Sequence, residues 1–256
     1  MKSQTKYGSL KADMTLTYPD DCIQSLLDQW WEEKPEDKIR HIEEGQLIYA
    51  FIPHVEQIPM ALVPKGRKEA QEHKLADCEI VPLNSPKVLR RSTLPVAGIP
   101  IYEKEVRLVL RAKRRPVLIL GLPGPQIPYE LVKNKPRWQR ISYFIGVPYY
   151  GAEEGTGRRS GYNQLFLEKV RHAVFPHFFW EILPLFQKTT IVSVLRFDHI
   201  MPIGSHYMSI EPTKWKLSKE ALLVMRDWFY WYLCGEFPSD SLLREAVALL
   251  REFEEE

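Results

Sequence analysis

Apolar and polar positions along this chain follow two periods, helical near the ends and strand-like through the middle. From Asp20 to Glu33 the residues Cys22, Ile23, Leu26, Leu27, Trp30 and Trp31 recur at helical spacing. Two aspartates stand in the first turn and Pro35 follows, so the spacing predicts an amphipathic helix. Leu47 to Ile52, entered through Gly45 and closed by Pro53, reads as a strand. From Glu105 to Ala112 the chain alternates, with Val106, Leu108, Leu110 and Ala112 facing one way and Arg107, Val109 and Arg111 the other, as in a half-buried strand. Val117-Leu118-Ile119-Leu120 leaves no polar face and reads as a buried strand. Ile141 to Val147 and Ile191 to Leu195 predict two more, with short pieces at Ile80-Val81 and Val88-Leu89. Tyr162 to Ala173 predicts a helix, and Ser218 is placed to cap a long one running through Leu233, punctuated by Gly235 and Pro238. A last helix starts after Ser239 or Asp240. Helix, strands broken by long loops, then helices: the order points to an α+β fold built on a small antiparallel barrel or strongly curved sheet.

Between Pro53 and Glu103 prolines and charges crowd together, including Lys65-Gly66-Arg67-Lys68 and Lys87 through Arg91. A connection this long reads as a functional loop or an insertion. The expected organisation is an N-terminal helical extension over 1–44, a barrel domain over 45–235 with an insertion at about 53–103, and an acidic C-terminal helix over 236–256.

Composition narrows the class. At 256 residues, with 45% hydrophobic and 12% aromatic residues, the chain can bury a sizeable core. No apolar run is long enough to cross a bilayer, and Met1 to Lys6 lacks a signal-peptide core. Cys22, Cys78 and Cys234 are odd in number and widely spaced, as expected of reduced thiols in a cytoplasmic protein. The net charge of +2 conceals an asymmetry: 1–44 holds 6 basic and 10 acidic residues, 236–256 holds 2 and 7, and the middle holds 27 and 16, a net of +11. A cationic body between acidic ends suggests a polyanionic partner.

The seven histidines show no paired helical spacing and no cysteine pair could clamp zinc, so no metal or other cofactor is expected. Gly155 to Ser160 lacks the glycine spacing and lysine of a P-loop, and no serine sits in a nucleophile elbow. What remains is cation beside aromatic. Lys113, Arg114 and Arg115 run into Pro116 and the buried strand, and Arg158 and Arg159 lie in a glycine-rich loop. Lys133, Lys135, Arg137 and Arg140 form a further basic cluster, Tyr143, Tyr149 and Tyr150 fall between it and Arg158, and Tyr162 follows Arg159. Arginine forks that hold phosphates next to rings that stack bases suit single-stranded nucleic acid. The same residues could equally be solvated turns and tyrosines packed on a sheet.

Several stretches, in order, resemble the MazF/PemK-like toxins of the CcdB/MazF superfamily. Gly45-Gln46-Leu47-Ile48-Tyr49-Ala50-Phe51 is similar to that family's opening strand, and Arg115-Pro116-Val117-Leu118-Ile119-Leu120 to its arginine-proline-aliphatic second strand. Ile145-Gly146-Val147-Pro148-Tyr149-Tyr150 resembles the third strand. Ser193 to Ile200 resembles the strand ending in acidic, polar and aliphatic residues, and Leu217 to Leu222 the start of the C-terminal helix. The resemblance implies an SH3-like barrel, a homodimer, and a metal-independent endoribonuclease that inhibits growth until an antitoxin protein blocks it. It implies cleavage of single-stranded RNA by the RNA's own 2′-hydroxyl, with Arg115 as the catalytic arginine. Tyr150 stands where the family usually has threonine or serine and is the second catalytic candidate, with Lys113, Arg114, Tyr149, Arg158 and Arg159 as RNA-binding residues. The alternative is a non-catalytic member of the superfamily that binds nucleic acid or protein, or a barrel that serves assembly alone.

Overall fold

A computed structural model describes residues 16–54, 57–66, 69, 71, 75–88, 105–125, 127–135, 143–152, 161–185 and 192–253. The chain divides into two compact units, 1–50 with 115–256, and 51–114.

The first unit is a mixed α+β structure around a mostly antiparallel curled sheet. Its strands are β1 (Trp31–Glu33), β2 (Gln46–Pro53), β6 (Ala112–Gly121), β7 (Phe144–Gly151), β8 (Phe178–Ile182), β9 (Val192–Arg196), β10 (Met201–Ile203) and β11 (Ile210–Leu217). The unit boundaries fall inside β2 and β6. The order across the sheet is β1-β11-β2-β6-β7-β9-β8, with β10 also paired to β7. Helices α1 (Tyr129–Val132), α2 (Gln164–Arg171), α3 (Lys219–Cys234) and α4 (Leu243–Glu252) complete it.

Alternation along the strands divides two packing layers. Leu47, Leu118, Val147, Tyr149, Leu195 and Phe179 point to one face and join Ala221, Met225, Trp228 and Trp231 of α3 in the larger core. Trp180, Ile182 and Val194 point the other way and pack with Leu167 and Val170 of α2 in a smaller one. Helix α3 begins as its sequence predicts. The Ser218 hydroxyl accepts the Ala221 N–H at 3.1 Å, and Gly235 closes the helix at φ +78°, a left-handed position that favours glycine.

The N-terminal segment departs from expectation. Instead of one helix over 20–33, there is a short 3₁₀ turn at Ile23–Leu26 and then strand β1, whose Trp31 pairs with Leu217. The helical periodicity is outcompeted by tertiary contacts. Leu26 is exposed, Trp30 and Trp31 are both buried, and the Trp30 indole donates at 2.5 Å to the carboxylate of Glu181 on β8. Ile23 and Trp30 near one end and Leu243, Val247 and Leu250 near the other belong to the same core as Leu118.

Glu181 is the hub that fastens this segment. It is wholly buried and accepts from Tyr18 Oη (2.9 Å), its neighbour's Ile182 N–H (2.9 Å) and Trp30 Nε1. No described cation pairs with it. Burial in this apolar setting outweighs the donors and pushes its carboxyl up to about 8.

The second unit holds a three-stranded sheet ordered β4-β3-β5, formed by β3 (Met60–Gly66), β4 (Asp77–Pro82) and β5 (Arg107–Val109). The strand piece expected at Ile80-Val81 lies within β4, β3 adds a strand that was not expected in the insertion, and the strand expected over 105–112 is only three residues long. Its apolar series does not face a core, since Val106, Leu108 and Leu110 are all exposed. Val88 lies in a turn rather than a strand.

Candidate functional site

The site grows out of strand pairing in the first unit. Strand β6 pairs with β7 so that Val117 faces Pro148, and stepping two residues along each strand sets Arg115 across from Tyr150. The Arg115 guanidinium carbon sits 4.0 Å from the Tyr150 ring centroid, a cation–π contact. Pro116 does not break β6, which runs unbroken through it to Gly121. Arg115 is half-buried, and among the described residues no carboxylate pairs with it. Burial lowers the guanidinium somewhat from its usual range while the Tyr150 and Tyr162 phenols hold it up, and it remains cationic.

The other edge of β7 supplies the partners. Tyr149 pairs with Leu195 of β9, and Gly146 pairs with Met201 of β10. Six steps on that chain face three on β7, and the three surplus residues form the 3₁₀ turn Phe197–His199. The turn acts as an enlarged bulge that re-aims side chains. Phe197 is wholly buried and stacks on Phe229 and Tyr232 of α3, which pins the turn and leaves Asp198 and His199 outward.

His199 Nδ1 lies 2.6 Å from the Tyr150 hydroxyl. With that hydroxyl donating, the opposite ring nitrogen carries the proton and stands 3.9 Å from Asp198 Oδ2. Arg196 grips Asp198 with both arms, Nε at 3.0 Å from Oδ1 and Nη2 on Oδ2, and its guanidinium also lies 5.1 Å from the Phe178 ring and 5.6 Å from the Tyr150 ring. Burial pushes the Asp198 carboxyl up, but the Arg196 bonds outweigh it and hold the group below the ordinary carboxylate range. The same bonds raise Arg196. Burial raises the Tyr150 phenol, against the pull of Arg115 and Arg196, so it stays protonated near neutrality. The result is a cluster in which Tyr150 is hydrogen-bonded to His199, Asp198 lies 3.9 Å from the opposite ring nitrogen, and the Arg115 and Arg196 guanidinium groups lie against the Tyr150 ring.

Of the residues expected from the sequence, Arg115 and Tyr150 come together. Tyr149 does not join them. It is 1% exposed, points into the main core, and cannot offer its ring to a base. Adjacent residues on a strand face opposite ways, so only one tyrosine of the pair could reach the site. Lys113 and Arg114 are exposed on β6 and fall within the second unit. Arg158 and Arg159 lie outside the described residues.

Arg196, Asp198 and His199 join the cluster without being expected from the sequence, where the histidines show no metal-ligand spacing. The available signal was local: an arginine and an aspartate two apart, with histidine next, at a strand end. Among the described residues no group of three or more His, Cys, Asp or Glu is placed to hold a metal ion. No protein-family model matches this chain, and neither a curated protein nor a solved structure does.

Proposed function

We propose that the protein is an endoribonuclease that cuts single-stranded RNA by attack of the 2′-hydroxyl on the adjacent phosphate. The observation that carries this reading is the Tyr150 hydroxyl bonded to His199 at 2.6 Å under a guanidinium free of any described carboxylate. The 2′-hydroxyl passes its proton to Tyr150 Oη as Tyr150 gives its own to His199 Nδ1, and Asp198 stabilises the imidazolium. The 2′-oxygen then bonds to phosphorus, the bond from phosphorus to the 5′-oxygen breaks, and that oxygen takes a proton from water. The products are a 2′,3′-cyclic phosphate and a 5′-hydroxyl, and His199 returns its proton to solvent. Arg115 offsets the charge that develops on the non-bridging oxygens, where its fork reaches two at once. The proposal extends to an SH3-like barrel acting as a homodimer, a growth-inhibiting toxin held in check by an antitoxin protein.

Purified protein incubated with mixed single-stranded RNA and a chelator should yield cyclic-phosphate ends. Arg115→Ala should lower the rate by about 10²-fold or more with its fold unchanged. Folded wild type that leaves such RNAs intact overturns the reading, and salt-sensitive binding without turnover would mark a non-catalytic binding module instead.

A further inference from the structure

The first unit contains a concave feature at the far end of β7 from Tyr150. An open cleft of about 660 Å³ is lined by Arg40, His41, Phe144, Tyr207 and Glu211, with Ile210 among its apolar walls. That volume lies in the range of small-molecule sites, and the mixture is theirs too: apolar walls with a few polar groups at the mouth. Arg40 and His41 are exposed, and no described carboxylate pairs with either. Tyr207 is 79% exposed on the loop joining β10 to β11, its ring 4.5 Å from that of His206. An exposed ring held by a neighbouring ring costs energy in water and is ready to stack.

We propose that this cleft is a nucleotide subsite that holds one base of the same RNA strand, with Tyr207 stacking the base and Arg40 and His41 receiving a phosphate. The proposal rests on the nuclease reading of the Arg115 site for its choice of strand. Phe144 and Tyr150 stand six residues apart along β7, which sets the cleft about 20 Å from Tyr150 at about 3.3 Å per residue. Single-strand grooves commonly hold about 4–16 nucleotides, so one strand can engage both places.

Two measurements test this separately from cleavage. First, 5′-CMP is titrated by calorimetry into Arg115→Ala protein. CMP should bind, and adding Tyr207→Ala and Arg40→Ala should weaken it by about tenfold. Second, KM is compared for RNA trimers and octamers. The octamer should hold about a tenfold advantage in wild type that the two cleft substitutions abolish. CMP binding that ignores both cleft substitutions, or no CMP binding at all, overturns the proposal. So does an octamer advantage that survives them. If wild type cuts no RNA, the nuclease reading fails while the CMP titration still decides the cleft.

Discussion

Two carboxyl groups in the first unit show how position along a sheet decides what an acid does. Glu181 and Asp198 both carry bidentate or multiple hydrogen bonds, yet their settings push them in opposite directions. Glu181 is sealed at 0% exposure among neutral donors, so burial dominates and its carboxyl rises to about 8. Asp198 lies at the mouth of the bulge with an arginine on it and a histidine nearby, so its charge is held. The first is a structural pin that joins Tyr18 and Trp30 to β8. The second can stabilise an imidazolium. Number of hydrogen bonds does not separate them; the presence of a cation and of water does.

This contrast breaks most visibly at Glu181. Glu181→Ala strands the buried Trp30 indole and Ile182 N–H, leaves Tyr18 Oη only the Ile182 carbonyl, and should cost about 3 kcal/mol or more, read by urea unfolding, while RNA cleavage per folded molecule changes little. A loss under about 1 kcal/mol would show that the hub does not hold the N-terminal segment. Asp198→Asn should do the reverse, slowing cleavage by about tenfold or more while barely moving the midpoint of unfolding. A pH series sharpens the comparison. Between the ordinary glutamate value of 4.5 and about 8, the folded state keeps a proton on Glu181 that the unfolded state has released. Stability should therefore fall as pH rises through that window, and Glu181→Gln should flatten the slope. The smallest effect belongs to a pair that is neither pin nor chemistry: Arg226 on Glu44, at 2.6 Å on the surface, whose removal should cost under about 1 kcal/mol.

Much of the scaffold was legible in the residues. The strand through Val117 to Ile119, the Ser218 cap and the helix after it, and the strand at Val192 to Leu195 all follow from local period and capping chemistry. Arg115 at a strand mouth was legible too, because four aliphatics behind a proline must be buried and the cations before them cannot be. The region around Trp30 and Trp31 was not. Its helical spacing is real, but the backbone partner on β11 and the Glu181 acceptor lie more than 150 residues away in sequence. The same holds for Arg107 to Val109, where alternation predicted a half-buried strand and the apolar side chains face solvent.

By itself, then, the sequence determined the elements whose hydrogen bonds and caps are made nearby, and the cationic character of the strand that carries Arg115. Only the tertiary structure chose Tyr150 over Tyr149 and brought in His199 and Asp198. Which face of a strand meets the core depends on register with partners far along the chain, and a three-residue surplus between β9 and β10 has no meaning until both lie against β7.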